Sequence, residues 1–144
     1  MMLELLAALS SGLFTGASVY INLVEHPARI SCGTALAVTE FAPSYKRAAV
    51  MQASLAALGV LCAVGAWLSG SPWAWLVGGL LLGAVIPFTL IAIFPTNKQL
   101  LNPALDKNSP IAEELLTRWG RLHAVRSVLS LASFVIFLWL IGME

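Results

Sequence analysis

Residues 48–97 read AAVMQASLAALGVLCAVGAWLSGSPWAWLVGGLLLGAVIPFTLIAIFPTN, fifty positions without one Asp, Glu, Lys or Arg. A helix needs about 20 apolar residues to cross the hydrocarbon core of a bilayer, so this stretch is long enough for two crossings. Ser69-Gly70-Ser71-Pro72 divides it with residues that are typical of a tight turn. We therefore predict two transmembrane helices, at about residues 47–68 and 73–94.

Two further charge-free runs flank this pair of helices. Leu5 to Val24 predicts a helix over about residues 2–26, and Pro27 is expected to end it because proline cannot continue a regular helix. Ser127 to Met143, lengthened by a helical approach on its N-terminal side, predicts a helix over about residues 110–142. The sequence therefore predicts four transmembrane helices in all.

The composition agrees with a membrane protein. The chain has 144 residues, 59% of them hydrophobic, and a mean hydropathy of +0.87. We expect residues 1–144 to form one membrane domain, an all-α antiparallel four-helix transmembrane bundle. The net charge of +1 gives no reason to expect nucleic acid as a partner. Cys32 and Cys62 form no CxxC pair, which argues against a membrane thiol oxidoreductase.

The basic residues predict the orientation of the bundle. All eight lie in or beside the two long connections, and they are Arg29, Lys46, Arg47, Lys98, Lys107, Arg118, Arg121 and Arg126. The short turn and both termini contain none. Because cytoplasmic loops are enriched in Lys and Arg, we expect both termini outside the cytoplasm, as in a bacterial inner-membrane protein.

Polar residues form a stripe along the first predicted helix. The stripe repeats at spacings of four and three, and its members are Ser11, Thr15, Ser18, Asn22 and Glu25. Lipid cannot satisfy such groups, so the stripe is expected to face other helices or a cavity. Gly12 and Gly16 lie beside it as a GxxxG pair, which would allow a homo-oligomer but fits packing within one chain as well.

The four predicted helices bring uncommon polar residues to one depth, near the cytoplasmic end. Counting residues along each helix places there Glu25, His26, Gln52, Asn97 and His123. Trp119 and Arg126 share a helical face with His123. Ionisable groups inside a membrane are costly and are functional candidates by default. We therefore predict a polar pocket at the cytoplasmic end, entered from the bilayer by a lipophilic small molecule or a membrane lipid.

Each candidate residue also has a structural interpretation. Arg126 could extend its side chain to lipid phosphates, and Trp119 could be an interfacial anchor. His26 and His123 could be hydrogen-bonded structural residues. Glu25 could neutralise Arg126, Arg47 or Arg29, and is expected to pair with one of them.

A bound cofactor is a further alternative. Two histidines and one carboxylate are the minimum set for a non-haem metal site, which would use His26, His123 and Glu25. The same two histidines, on different helices, could ligate a haem. No ligand-spacing signature supports either cofactor, and the site could also work without one.

Several segments together resemble the anthrone oxygenase-like family of small four-helix membrane proteins. They are Gly12-Leu-Phe-Thr-Gly16, Asn22-Leu-Val-Glu-His-Pro-Ala-Arg29, Tyr45-Lys-Arg-Ala-Ala-Val-Met-Gln52, Pro87-Phe-Thr89, Phe94-Pro-Thr-Asn97 and Arg118-Trp-Gly-Arg-Leu-His123-Ala-Val-Arg126. Fungal members of this family oxidise anthrones to anthraquinones with molecular oxygen. The resemblance implies the four-helix fold and an oxygenase or monooxygenase activity on a lipophilic, anthrone- or quinone-like aromatic molecule.

Two functional hypotheses follow from the residues and the resemblance together. In the first, the catalytic residues are His26, His123, Arg126 and Glu25, with one histidine as the general base and with Arg126 and Asn22 stabilising an enolate. The residues expected to bind the substrate are Asn22, Arg47, Gln52, Asn97 and Trp119. In the second, the protein is a non-catalytic binding or accessory protein that holds a lipid, a quinone or a haem.

Overall fold

The computed structural model describes residues 1–143 and is helical almost throughout. Its four long helices are α1 (Met2–Ser31), α2 (Thr34–Leu68), α3 (Ala74–Leu100) and α4 (Pro110–Gly142). Each of them is long and apolar enough to cross a membrane. The predicted fold class, an all-α antiparallel four-helix bundle, is confirmed, and the chain is an integral membrane protein.

The helices pack in a ring in which sequence neighbours are also spatial neighbours. α1 packs against α2 and α4, and α3 packs against the same two helices from the opposite side. At the end that carries the short turn, Trp75 stacks on Phe137 with ring centroids 5.0 Å apart, and Ala63 and Ala66 are fully buried beside them. Small residues on α2 therefore let bulky aromatic side chains fill the centre of this end.

The predicted bounds of the first two helices are wrong at the opposite end, which we call the basic end because the exposed Lys and Arg side chains lie there. α1 continues past Pro27 to Ser31, since a π-helical turn, Ile21–Glu25, shifts the hydrogen-bond register just before the proline. α2 begins at Thr34 instead of residue 47. The expected long connection is therefore helical.

Only Cys32 and Gly33 separate α1 from α2. Gly33 has φ 97° and ψ 152°, a backbone conformation that residues other than glycine rarely adopt. This one residue reverses the chain direction. It also lets both helices extend beyond the apolar spans, so that residues near the basic end are held on helices and not on a loop.

The third helix is also longer than predicted, because it continues to Leu100 instead of ending near residue 94. Its hydrogen bonding is irregular around Pro87, where the helix is interrupted at Ala84 and then passes through a second π-helical turn, Thr89–Ile93. The extension places Asn97 in a helix, where its side chain is 1% exposed. The polar end of α3 is thus part of the bundle interior.

The polar stripe of α1 faces the interior, as predicted. Ser11 Oγ donates to Ser133 Oγ at 3.2 Å, and Ser133 Oγ donates to the backbone carbonyl of Gly78 at 2.7 Å. A Cβ at Gly12 would lie 2.8 Å from the Phe134 ring, so Gly12 packs against α4 of the same chain. Gly16 has no atom within 4 Å of such a Cβ and packs against nothing in this chain.

Candidate functional site

Two side chains of α1 hydrogen-bond the backbone of α4 near the basic end. Asn22 Nδ2 donates to the carbonyl of Gly120 at 3.0 Å, and His26 Nε2 lies 2.9 Å from the carbonyl of Leu116. A carbonyl oxygen can only accept, so Nε2 of His26 carries the proton and donates. The two donors are four residues apart on α1, and the two carbonyls are four residues apart on the antiparallel α4. The contact therefore repeats once per helical turn.

Gly120 makes this contact possible. A Cβ at position 120 would lie 2.8 Å from both Cδ2 and Nε2 of His26, closer than atoms can pack. The π-helical turn of α1 contains Asn22 and directly precedes His26, and it sets the direction in which both side chains leave the helix. Such turns are often found at functional sites, and the second one, on α3, lies across the same end of the bundle.

Asn22 also fixes the proton on the other histidine. Because its amide nitrogen donates to Gly120, its Oδ1 is the acceptor for His123 Nδ1 at 2.7 Å and for Ser127 Oγ at 2.7 Å. His123 therefore carries its proton on Nδ1. In the neutral ring, Nε2 then holds the lone pair and is free to accept a proton or a hydrogen bond.

Trp119 packs against both imidazoles. Its ring centroid is 4.7 Å from that of His123 and 5.0 Å from that of His26, and its Nε1 donates to Asn97 Oδ1 at 2.8 Å. The side chain is only 5% exposed, so Trp119 is part of the site and not an anchor at the membrane surface. The nitrogen of the same Asn97 amide, Nδ2, is buried without a hydrogen-bond partner.

Arg126 lies inside the bundle rather than among lipid phosphates. Its Nη2 donates to Gln52 Oε1 at 2.8 Å, and its guanidinium lies 5.3 Å from the centre of the Phe14 ring. Gln52 in turn donates from Nε2 to Ser18 Oγ at 3.4 Å. Within residues 1–143 no carboxylate forms an ion pair with Arg126. The guanidinium charge is thus uncompensated by the protein.

Of the three partners expected for Glu25, the structure shows Arg29 and not Arg126 or Arg47. Glu25 forms an ion pair with Arg29 and accepts a hydrogen bond from Ser44. Arg29 Nε also lies 2.6 Å from Glu40 Oε2, an ion contact that is not aligned as a hydrogen bond. The Glu25 carboxylate is therefore engaged by Arg29 and Ser44 and does not contact Arg126.

Arg29 is the site residue that the sequence analysis missed. Its side chain is 4% exposed, and its guanidinium lies 5.7 Å from the Phe41 ring centre and 5.8 Å from that of Trp119. The available signal was the spacing of four between Glu25 and Arg29, which pairs the two on a helix. Pro27, expected to end that helix, concealed it.

A small polar chamber lies between these residues, with a volume of about 20 Å³, enough for one water-sized molecule. Of the predicted site residues, the structure brings five to its wall: Gln52, Asn97, Trp119, His123 and Arg126. Tyr45 and Arg29 also line it. Asn22 and His26 lie behind this wall and hold it in place. Arg47 is exposed and lies outside it.

A larger apolar cavity of about 160 Å³ adjoins the polar chamber. The two share a wall formed by Tyr45, Ala49, Gln52 and Arg126. The arrangement is therefore one site with two compartments, in which a guanidinium and an amide separate a polar space from an apolar one.

The residues present do not fit the expected metal or haem site. Among residues 1–143, no three His, Cys, Asp or Glu side chains are grouped as metal ligands would be. Glu25 is paired with Arg29, and Nε2 of His26 donates to a backbone carbonyl, so His26 could offer only Nδ1 and His123 only Nε2, and no carboxylate of the described residues joins the two rings. The two histidines thus hold opposite tautomers for structural reasons, and no common ion is needed to explain their positions.

These features define a class, a four-helix integral membrane protein with a buried polar chamber that adjoins an apolar cavity. The family model described as anthrone oxygenase matches residues 41–136, two thirds of the chain. The chain therefore belongs to the anthrone oxygenase family, as its sequence motifs predicted. Comparisons with curated proteins and with solved structures give no match. The matched range contains Gln52, Asn97, Trp119, His123 and Arg126, the five predicted residues that line the polar chamber.

Replacing Gly120 with Ala tests the α1–α4 contact. The added Cβ would force the His26 ring away from the Leu116 carbonyl, and such overpacking typically costs about 1–3 kcal/mol. Thermal unfolding in detergent should show the loss. Gly16→Ala, where a Cβ meets nothing within 4 Å, is the matched control and should leave the melting temperature nearly unchanged. Equal effects of the two variants would mean that His26 does not pack on Gly120.

Double-mutant cycles distinguish the partner of Glu25. Glu25→Gln and Arg29→Gln should be coupled by about 1–3 kcal/mol in unfolding free energy, because Arg29 is the only ion partner of Glu25 among the described residues and Glu25 is one of two for Arg29. Glu25→Gln and Arg126→Gln, which share no partner, should add to within about 0.5 kcal/mol. Strong coupling in the second cycle, with additivity in the first, would contradict the pairing described here.

Proposed function

We propose that this protein is a membrane oxygenase that acts on a lipophilic aromatic molecule of the anthrone or quinone type. One observation carries the proposal. Asn22 holds the proton of His123 on Nδ1, so a neutral Nε2 is left as a base in a chamber that also contains the uncompensated guanidinium of Arg126. A base beside a fixed positive charge is what the removal of a proton from carbon or from a phenol requires.

The reaction can be written with the side chains of the chamber and molecular oxygen. His123 Nε2 takes the proton of the hydroxyl that the phenol or enol form of the substrate places in the chamber, and Arg126 stabilises the phenolate or enolate that results. The electron-rich carbon then adds O₂ to give a peroxide, which takes the proton back. Loss of water from the hydroperoxide then leaves a carbonyl. The substrate carbon has lost two C–H bonds, and O₂ has supplied one oxygen atom to the product and one to water.

The remaining residues bind and orient in this proposal. Asn22 and Ser127 fix the imidazole of His123, and Gln52 directs the guanidinium of Arg126. Trp119 presents an aromatic surface to the chamber, and the free Nδ2 of Asn97 is a hydrogen-bond donor for a substrate oxygen. His26 is a positioning residue, because its Nε2 is engaged by the backbone of α4.

A second candidate function is non-catalytic binding of an aromatic or lipid molecule. The observation in its favour is the size of the polar chamber, about 20 Å³, which admits an oxygen substituent but no ring. The ring system of any ligand would then occupy the apolar cavity, and a pure binding protein needs nothing more. Oxygen consumption separates the two functions.

For the setting of this activity we propose a bacterial inner membrane, with both termini outside the cytoplasm and the polar chamber at the cytoplasmic end. The support is the position of the exposed cations, which all lie at the basic end: Lys46, Arg47, Lys98, Lys107, Arg118 and Arg121. Exposed Lys and Arg side chains of this kind are enriched on the cytoplasmic side.

Reporter fusions test this orientation. A fusion after Asp106, in the connection between α3 and α4, should report the cytoplasm, and a fusion at the C-terminus should report the opposite compartment. A periplasm-active enzyme and a cytoplasm-active one, fused at each position, give reciprocal readouts. Interchanged compartments would overturn the orientation and leave the four-helix fold intact.

Oxygen uptake with an anthrone as substrate tests the activity. His123→Gln should lower kcat by about 10²-fold or more, because the general base is lost. The volumes of the two side chains are similar, so the packing around position 123 should change little. Arg121→Gln, an exposed cation two residues earlier on α4, is the control and should retain full activity. If purified protein binds the anthrone but uptake does not exceed the protein-free rate, the binding function is correct and the oxygenase is not.

A further inference from the structure

The apolar cavity beside the polar chamber lies between α2 and α3. Its walls come from Phe14 on α1, Ala53 and Ala56 on α2, and Val85 and Leu90 on α3. Thr89 also lines it, but its hydroxyl already donates to the Val85 carbonyl at 2.6 Å, so its proton is not available to a ligand. The cavity therefore suits the apolar body of a ligand and not its polar substituents.

The same cavity opens toward the lipid. Ile86 and Leu90 line it and are 42% and 61% exposed, near the middle of the membrane-spanning α3. Ala53 is exposed on the facing side of α2. A molecule dissolved in the hydrocarbon core reaches the cavity by moving sideways between α2 and α3. With a volume of about 160 Å³, smaller than the ~300 Å³ of typical ligand pockets, the cavity leaves part of a large ligand in the bilayer.

The inner wall of the cavity carries an unmatched positive charge. Arg126 lines both compartments, and its only hydrogen bond to the described residues runs to Gln52. A guanidinium has five N–H donors, and its Nε is buried here without a partner. A charge held inside a membrane protein without a counter-ion is costly, so a ligand that brings a negative oxygen removes part of that cost.

We infer that the apolar cavity binds the ring system of a flat amphipathic anion that arrives from the bilayer between α2 and α3, with its negative oxygen on Arg126. The inference rests on the proposed function and deepens it, because it states the charge of the substrate and its route. The ligand binds as a phenolate or enolate rather than as the neutral molecule. Arg126 thus holds the ionised form, and His123 takes up the proton that the substrate releases.

The probe for this inference is 1,8-dihydroxyanthraquinone, which changes from yellow to red when a phenol ionises. Binding is followed by absorbance, with protein in detergent under anaerobic conditions, across a pH series. A neighbouring cation lowers the pKa of an acid by one to three units, so the midpoint of the colour change should fall by at least about one pH unit on binding. Arg126→Gln should abolish that fall, and Arg121→Gln should keep it.

The route is tested by filling the outer part of the cavity. Ala53→Phe should weaken binding of the dye at least tenfold, because the new ring occupies the space between α2 and α3. Ala57→Phe is the matched control, since Ala57 is exposed on the same helix and lines neither compartment. Both positions are exposed, so both variants should keep the wild-type melting temperature. Equal binding by the two variants would overturn the route, and an unshifted colour change would overturn the anionic ligand.

These measurements fail separately from the proposed activity. Dye that ionises on Arg126 in a protein without oxygen uptake would retain the anion site and remove the oxygenase. Oxygen uptake by a protein that binds the dye without shifting its colour change would retain the oxygenase and remove the anion site.

Discussion

The constraint on which this structure depends is the absence of water in the hydrocarbon core. A polar side chain inside the bundle can find partners only in the protein or in a bound molecule, and the contact between α1 and α4 carries more side-chain hydrogen bonds than any other pair of helices in residues 1–143. Asn22 and His26 donate to two carbonyls of α4 that already serve its own helix, at 3.0 and 2.9 Å. Gly120 makes the approach close enough. The tautomer of His123, and with it the base of the proposed reaction, follows from this packing.

The second support is the buried Arg29. It pairs with Glu25 on α1, joins the end of α1 to the start of α2 through Glu40 and Ser44, and lies over the ring of Trp119. This brace holds the helical extensions over the chamber. The two arginines that line the chamber, Arg29 and Arg126, therefore differ in how far their charge is neutralised. Arg29 is neutralised by two carboxylates, whereas within residues 1–143 Arg126 contacts an amide and an aromatic ring but no carboxylate, so its charge is left for a ligand.

The sequence predicted the parts of this structure that depend on hydrophobicity and helical spacing. Charge-free runs gave four spans. Residue counting brought Gln52, Asn97 and His123 to one depth, with Arg126 on the same helical face as His123, and the structure places all four around one chamber. The helix ends at Pro27 and residue 47 were wrong, because proline rules assume a regular helix and a π-helical turn removes that assumption. Arg29 was named as a possible partner of Glu25 but not as a site residue, because the expected end at Pro27 placed it in a connection outside the bundle.

The tautomers and the division into two compartments could not be predicted from the sequence. They depend on which atom of the Asn22 amide faces α4 and on the close approach of the His26 ring to Gly120, where there is no room for a Cβ. No residue pattern encodes either distance. The family motifs did indicate the location, since they coincide with the residues that line the chamber.

The four interfaces of the ring are unequal in kind. Side-chain hydrogen bonds cross from α1 to α2, from α1 to α4 and from α3 to α4, but within residues 1–143 none crosses from α2 to α3. That seam is closed by dispersion alone, as where Leu82 packs against Gly59. Dispersion contacts have no preferred angle, so these two helices can part and close again without leaving a donor or acceptor stranded in lipid. Three of the four interfaces between neighbouring helices are thus held by side-chain hydrogen bonds, and the fourth by apolar packing.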